Sequence, residues 1–335
     1  MARAVRAKAE AVAPEPNLLG NQTLPRAATA LFGHDAVMAD LAARFAAAPP
    51  QGLILAGPRG IGKATLAYRI AKALVAGGPI ASDFSLPPDN RDAGLVASGA
   101  HPRVLALTRP WDPDKKRFKT ELTVDTVRAI VPFLGATTPG GGWRVVILDA
   151  LDDMNANAAN AILKALEEPP ARTVFLMVAH APGRILPTIR SRAALVALKP
   201  LQGADIAAAL THLGVDGAFA DGSDGSVRAA LVAAGAEGDA VRAARQLLEG
   251  AMGAPATWHR LAAIALDKKG AAYEAVVDLA MDALAARARH TGSGEGARAY
   301  LDALGERRRV EIFNLDKRAF LLGLCEALAE LDAAA

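Results

Sequence analysis

The residues best suited to chemistry are Gly57, Gly60, Gly62 and Lys63, followed by Ala64 and Thr65. Their order nearly matches the phosphate-loop pattern G-x-x-x-x-G-K-[ST]. In that pattern backbone N–H groups and the lysine cradle phosphates, and a hydroxyl directly after the lysine ligates Mg²⁺. Ala64 stands at the hydroxyl position. Thr65 comes one residue later, about 100° further round a helix. The groups that attract an anion are kept, but the metal ligand is lost. A second set lies at Asp149 and Ala150. An acid at the end of a buried strand suits a Mg²⁺ contact, direct or through water. Ala150 occupies the place of the glutamate that orients water in many hydrolases, and losing such a base typically costs about 10² to 10⁴ in rate. The reading is a degenerate nucleotide site built on Gly57, Gly60, Gly62, Lys63, Thr65 and Asp149. It would be a weak ATPase or none, with ATP or ADP binding left open. Asp152 and Asp153 are read as acids that complement a helix N-terminus.

These residues need a sheet to hold them. Leu53–Ala56 is a short apolar run suited to a buried parallel strand. Leu66, Ile70, Ala73 and Leu74 then recur at helical spacing until Gly77 and Gly78. Strand, glycine loop and helix is the context that a phosphate loop requires. Val104–Leu107, Val145–Leu148 and Val174–Val178 are further buried-strand candidates. Thr123–Leu134 predicts one amphipathic helix with Val124, Val127, Ile130 and Val131 on its apolar face. Gly140–Gly142 marks a turn, and Asn155–Glu168 a helix ended by Pro169 and Pro170. The alternation predicts an α/β fold, a parallel sheet with helices on both faces. Beyond Pro200 only helical patterns remain. The expected division is a flexible leader over 1–16, an α/β domain over 17–200, a helical lid over 201–246 and a helical domain over 247–335.

Composition narrows the class. The 335 residues suffice for two or three domains. The apolar fraction of 52% is rich in alanine and only 4% of residues are aromatic, which suits closely packed helices. A net charge of +3 is only weak support for nucleic-acid binding. The single Cys325 excludes an intramolecular disulfide framework and a cysteine-rich zinc site, and its apolar helical neighbours predict a buried thiol. No apolar stretch is long enough to span a membrane, and residues 1–16 lack the apolar core of a secretion signal. A soluble, cytoplasmic protein is expected. Lys115–Lys119 reads as a basic loop, and Arg307–Arg309 as a helix surface.

Three strings carry a specific resemblance: Gly60–Ala67; Asp149–Asn155 with Ala159–Pro170; and Leu186–Ala193. They resemble the bacterial clamp-loader subunits of DNA polymerase III, AAA+ proteins of the replication machinery, and most of all their delta prime branch. The detailed likeness covers about residues 30–230. It implies an AAA+ module, a lid and an all-helical C-terminal collar that joins subunits. It further implies help in loading the sliding clamp onto primed DNA, with gamma or tau and delta subunits as partners. It gives Arg192 the role of an arginine supplied in trans to a neighbour's ATP site, and Arg228 that of a second sensor near phosphate. The family's Ser-Arg-Cys ends here in Ala193, and the sensor position after the fourth strand is Ala179, followed by His180. Gly77–Pro102 holds no cysteine, so no zinc is expected. The readings in competition are an ATP-hydrolysing subunit of gamma or tau type and an unrelated nucleotide kinase.

Overall fold

The computed structural model describes residues 23–114, 117–119, 121–136, 141–221, 223–235, 238–250, 252–266, 272–313 and 315–334. The expected leader over 1–16 lies outside these residues, as do Lys115, Lys116 and Gly140. The chain forms two compact units. One runs to Pro58 and from Gly62 to Lys199, and the other comprises Arg59–Ile61 and the chain from Pro200 onward.

Among the described residues the first unit has seven strands: β1 (Gly52–Ala56), β2 (Val104–Thr108), β3 (Trp111–Asp112), β4 (Arg117–Phe118), β5 (Arg144–Asp149), β6 (Thr173–Ala179) and β7 (Ala194–Ala197). Its helices are α1 (Asp35–Ala47), α2 (Lys63–Ala76), α3 (Arg91–Ser98), α4 (Val124–Val127), α5 (Ile130–Gly135), α6 (Ala156–Glu167) and α7 (Pro187–Arg190). Five strands form a parallel sheet in the order β2-β5-β6-β1-β7. Every residue of β1 and β6 is buried, as befits central strands covered on both faces. Successive side chains alternate between faces. Ile54, Val146, Leu148, Phe175 and Met177 meet Val127, Ile130, Ile162 and Leu166 of the α4–α6 layer, while α2 packs against β1, β5 and β6.

Three differences from the sequence reading have physical causes. Strand β2 is an edge strand in which only Leu107 is buried, because one side has no neighbouring strand. Strand β7 is too short and alanine-rich to show a pattern. The helix expected over 123–134 is broken into α4 and α5. Pro132 has no N–H to give the Arg128 carbonyl; the Val131 N–H takes that oxygen at 3.1 Å in a tighter turn. Val131 consequently leaves the apolar face and is 71% exposed, while Val127 and Ile130 stay buried. The basic stretch near Lys119 joins an antiparallel hairpin of β3 and β4, where Trp111 and Phe118 meet edge to face at 5.0 Å.

The second unit is helical: α8 (Gly203–His212), α9 (Val227–Ala234), α10 (Gly238–Glu249), α11 (Pro255–Ala265), α12 (Tyr273–Thr291), α13 (Gly294–Phe313) and α14 (Lys317–Ala334). Its core joins Val241, Ala244 and Leu248 of α10 to Leu261, Val276, Ala280, Leu284, Leu321 and Leu328. The 246/247 division expected from the sequence falls inside α10. Cys325 is buried in this core, and burial pushes its thiol up to about 11. Arg307 is not a surface residue: its side chain is 16% exposed and pairs with Asp278 at 2.7 Å, Glu274 at 3.2 Å and Glu311 at 3.4 Å. Burial opposes its charge, but the three carboxylates outweigh that and raise its pKa.

Candidate functional site

The loop after β1 is shaped by glycine. Gly57, Gly60 and Gly62 all have positive φ, at 146°, 78° and 99°. At Gly60 a Cβ would lie 2.3 Å from both the Arg228 Cβ and the Ser226 Oγ, so the approach admits glycine alone. The Gly57 N–H donates to the Ala179 carbonyl at 3.2 Å, which fixes the loop's start to β6. Gly62 caps α2 and accepts the Leu66 N–H at 2.9 Å. Lys63 is 3% exposed, and its Nζ donates to the Gly57 carbonyl at 2.7 Å and to the Pro58 carbonyl. The glycines and Lys63 fit a phosphate. Ala64, next on the helix, offers no oxygen to Mg²⁺, and Thr65 follows half-buried on the same first turn.

Asp149 ends β5, in register with Val178 of β6 and, through β2, with Thr108. Beside it Ala150 and Ala179 are buried apolar side chains, so neither position offers a proton acceptor or a polar sensor. The two acids that follow lie in the 3-10 turn Leu151–Asp153, not at the start of α6, and both make specific contacts. The Asp152 carboxylate accepts the Ala181 N–H at 3.0 Å and the His180 N–H. Asp153 pairs with Arg109 at 3.3 Å. These contacts tie the turn after β5 to the end of β6 and to the segment after β2. They were invisible in the sequence because their partners lie far along the chain.

In the second unit, the Ser226 Oγ donates to the Arg59 carbonyl at 2.9 Å and accepts the Ala229 N–H at 3.2 Å, capping α9. The Arg228 N–H reaches the Gly60 carbonyl at 3.5 Å. Arg228 therefore stands on the first turn of α9 against the loop tip.

Arg192 lies in a different setting. Pro187 opens α7 at its first position, and the turn closes with the Arg192 N–H on the Ile189 carbonyl at 3.1 Å. The Arg192 Nη1 donates to the Thr188 carbonyl at 2.8 Å and to the Ser191 Oγ at 3.1 Å. Its Nη2 meets Glu167 Oε1, at the end of α6, at 2.6 Å. The arginine side chain is 35% exposed. Ala193 is a small apolar side chain packed partly against the core that includes Ile162 and Leu166 of α6. The structure thus gathers Gly57, Lys63, Thr65 and Asp149 around β1, α2 and β5, and sets Arg192 apart on the α7–β7 turn.

Among the described residues, no group of three or more His, Cys, Asp or Glu side chains could hold a metal ion. No helix among them is long and apolar enough to cross a membrane.

A parallel sheet with a glycine loop between its first strand and the following helix defines an α/β protein of the P-loop class. The family model for the DNA polymerase III delta subunit matches residues 35–202, half of the chain, and the chain belongs to that family. It is 42% identical over 151 residues to the DNA polymerase III subunit delta' of Pseudomonas aeruginosa, covering 45% of this chain and 43% of that one. It is 39% identical over 110 residues to the delta' subunit of Escherichia coli, covering 33% and 31%. A gamma/tau subunit from Mycobacterium bovis is 29% identical over 239 residues, covering 70% of this chain and 38% of that one. The matches to the delta' relatives span less than half of those proteins' own length.

Proposed function

We propose that this chain works as a delta prime subunit of the DNA polymerase III clamp loader, helping to place the sliding clamp on primed DNA. Its partners in this reading are gamma or tau and delta subunits; clamp and DNA are met through the complex. The identity of its relatives supports the role, and the exposed setting of Arg192 carries the mechanism. A phosphate loop with Ala64 and Ala150 lacks both the metal hydroxyl and the water-orienting carboxylate. The chain's contribution to hydrolysis then comes from elsewhere. The Arg192 guanidinium, on an exposed turn, is offered to the ATP site of a neighbouring gamma or tau subunit. There it neutralises charge that develops on the transferred phosphoryl group, an effect worth about 10³ to 10⁵ in favourable systems. The chain's own loop holds ATP or ADP at most, through the backbone of Gly57–Gly62 and Lys63, with Arg228 near the loop tip. No nucleotide is required for its action. Helices α8 and α9 act as a lid and α10–α14 as a collar.

The test is DNA-dependent ATPase activity of a loader reconstituted from gamma or tau, delta and this chain, with wild-type chain or Arg192→Ala. A clear fall in turnover with assembly intact is the expected result. Unchanged turnover would remove Arg192 from the mechanism. Robust hydrolysis by the isolated chain would instead favour the gamma or tau type of subunit.

A further inference from the structure

We infer that Glu167 is the positioning residue for Arg192, holding the guanidinium in its delivery orientation before a neighbouring subunit docks. The inference rests on the reading of Arg192 as a residue given in trans. The observation behind it is the 2.6 Å contact between Arg192 Nη2 and Glu167 Oε1, made across 25 positions of sequence, from Glu167 to Arg192. Three oxygens hold the guanidinium: the Thr188 carbonyl and Ser191 hydroxyl on Nη1, and Glu167 on Nη2. Two of them belong to the arginine's own turn and move with it. Glu167 alone ties the side chain to another element.

That element is firmly placed. Ile162 and Leu166 anchor α6 in the core, the Asn155 side chain caps its start by accepting the Ala158 N–H at 2.9 Å, and Pro169 and Pro170 end it just past Glu167. Helix α7, by contrast, has only four residues. A carboxylate at the end of a core-anchored helix therefore sets where an arginine on a short turn points. Both partners are substantially exposed, Glu167 at 45%. Pairs this exposed contribute little to stability, so the consequence of the contact lies in orientation. An arginine side chain loses much rotamer freedom when it is fixed, and having that freedom restricted beforehand lowers the barrier left for the reacting complex. The Arg192 Nε has no partner among the described residues, and the guanidinium retains donors for a phosphate.

The experiment uses the full reconstituted loader with Glu167→Ala, Glu167→Asp and Arg192→Ala, singly and with Glu167→Ala combined with Arg192→Ala. It reads kcat and KM for ATP, assembly by sedimentation and the thermal midpoint of the isolated chain. Glu167→Ala is expected to lower kcat about 3- to 10-fold with KM unchanged, the scale expected from loosening one catalytic side chain. Glu167→Asp should restore part of the loss, the midpoint should not move, and adding Glu167→Ala to Arg192→Ala should cost nothing more. An unchanged or raised kcat in Glu167→Ala, where Arg192→Ala lowers it, would overturn the positioning role and leave Arg192 standing. A further loss in the double variant would show Glu167 acting apart from Arg192 and would overturn it too. If Arg192→Ala itself has no effect, the underlying reading of Arg192 fails instead.

Discussion

The phosphate loop and the α7–β7 turn each present a cation suited to phosphate, and they hold it in opposite ways. Lys63 is buried and donates to two carbonyls of its own loop. Arg192 is exposed, with one carboxylate and two neutral oxygens around it. Arg307, in the helical unit, marks the far limit: three carboxylates enclose it. The number of anionic partners and the degree of burial decide whether a charge can be offered to another molecule. Removing a charge shared by three partly exposed carboxylates leaves all three without that counter-charge. Lending one from a single exposed carboxylate costs little.

The contrast can be broken in order of effect. Arg307→Ala should destabilise the chain most, by about 2–3 kcal/mol in urea unfolding, because Asp278 and its partly exposed neighbours would be left without a counter-charge. A loss below 1 kcal/mol would show the network to be ornamental. Arg192→Ala should lower turnover at the served ATP site about 10²-fold or more, with the unfolding midpoint unchanged. Lys63→Ala should do the reverse: turnover of the reconstituted loader stays as in wild type, while stability falls by about 1–2 kcal/mol as two carbonyls lose their donor. If Lys63→Ala cut turnover as deeply as Arg192→Ala, the distinction between inward and outward cations would collapse.

The smallest effect concerns pH. Asp332 is partly buried, which raises its pKa, but the Arg287 side chain at 2.6 Å and the Met252 N–H at 3.0 Å hold the carboxyl below its usual range. A carboxyl depressed in the folded state adds stability above its unfolded pKa and loses it as pH falls through the folded value. Acid unfolding of Asp332→Asn should therefore be less steep below the ordinary carboxylate range, with about 1 kcal/mol less stability at neutral pH. Parallel acid limbs in the two chains would count against the contact.

Much of the α/β unit is readable without coordinates. The apolar runs that become β1, β5 and β6, the glycine spacing before α2, and the Asn155 cap and double proline around α6 are local signals. Each acts within a few residues, which is why their boundaries hold. Edge strands are harder to read: β7, four residues long with an alanine at each end, showed no pattern, and the apolar run of β2 gave the strand but not its exposure, since only Leu107 is buried. Pro132 was present in the sequence, but its effect on Val131 depends on which donor takes the Arg128 carbonyl in place of the missing N–H.

The sequence by itself determined that this chain carries a glycine-shaped phosphate loop without a metal hydroxyl or a water-orienting acid, because side-chain chemistry at Ala64 and Ala150 needs no fold to be judged. It also determined the elements that flank that loop, because periodicity and breakers are properties of neighbouring residues. Tertiary structure alone decided that Lys63 turns inward, that Asp152 holds the backbone at His180 and Ala181, that Arg307 is mostly buried among three carboxylates, and that Glu167 meets Arg192. Those outcomes depend on segments that are distant along the chain and become neighbours only when it folds back on itself.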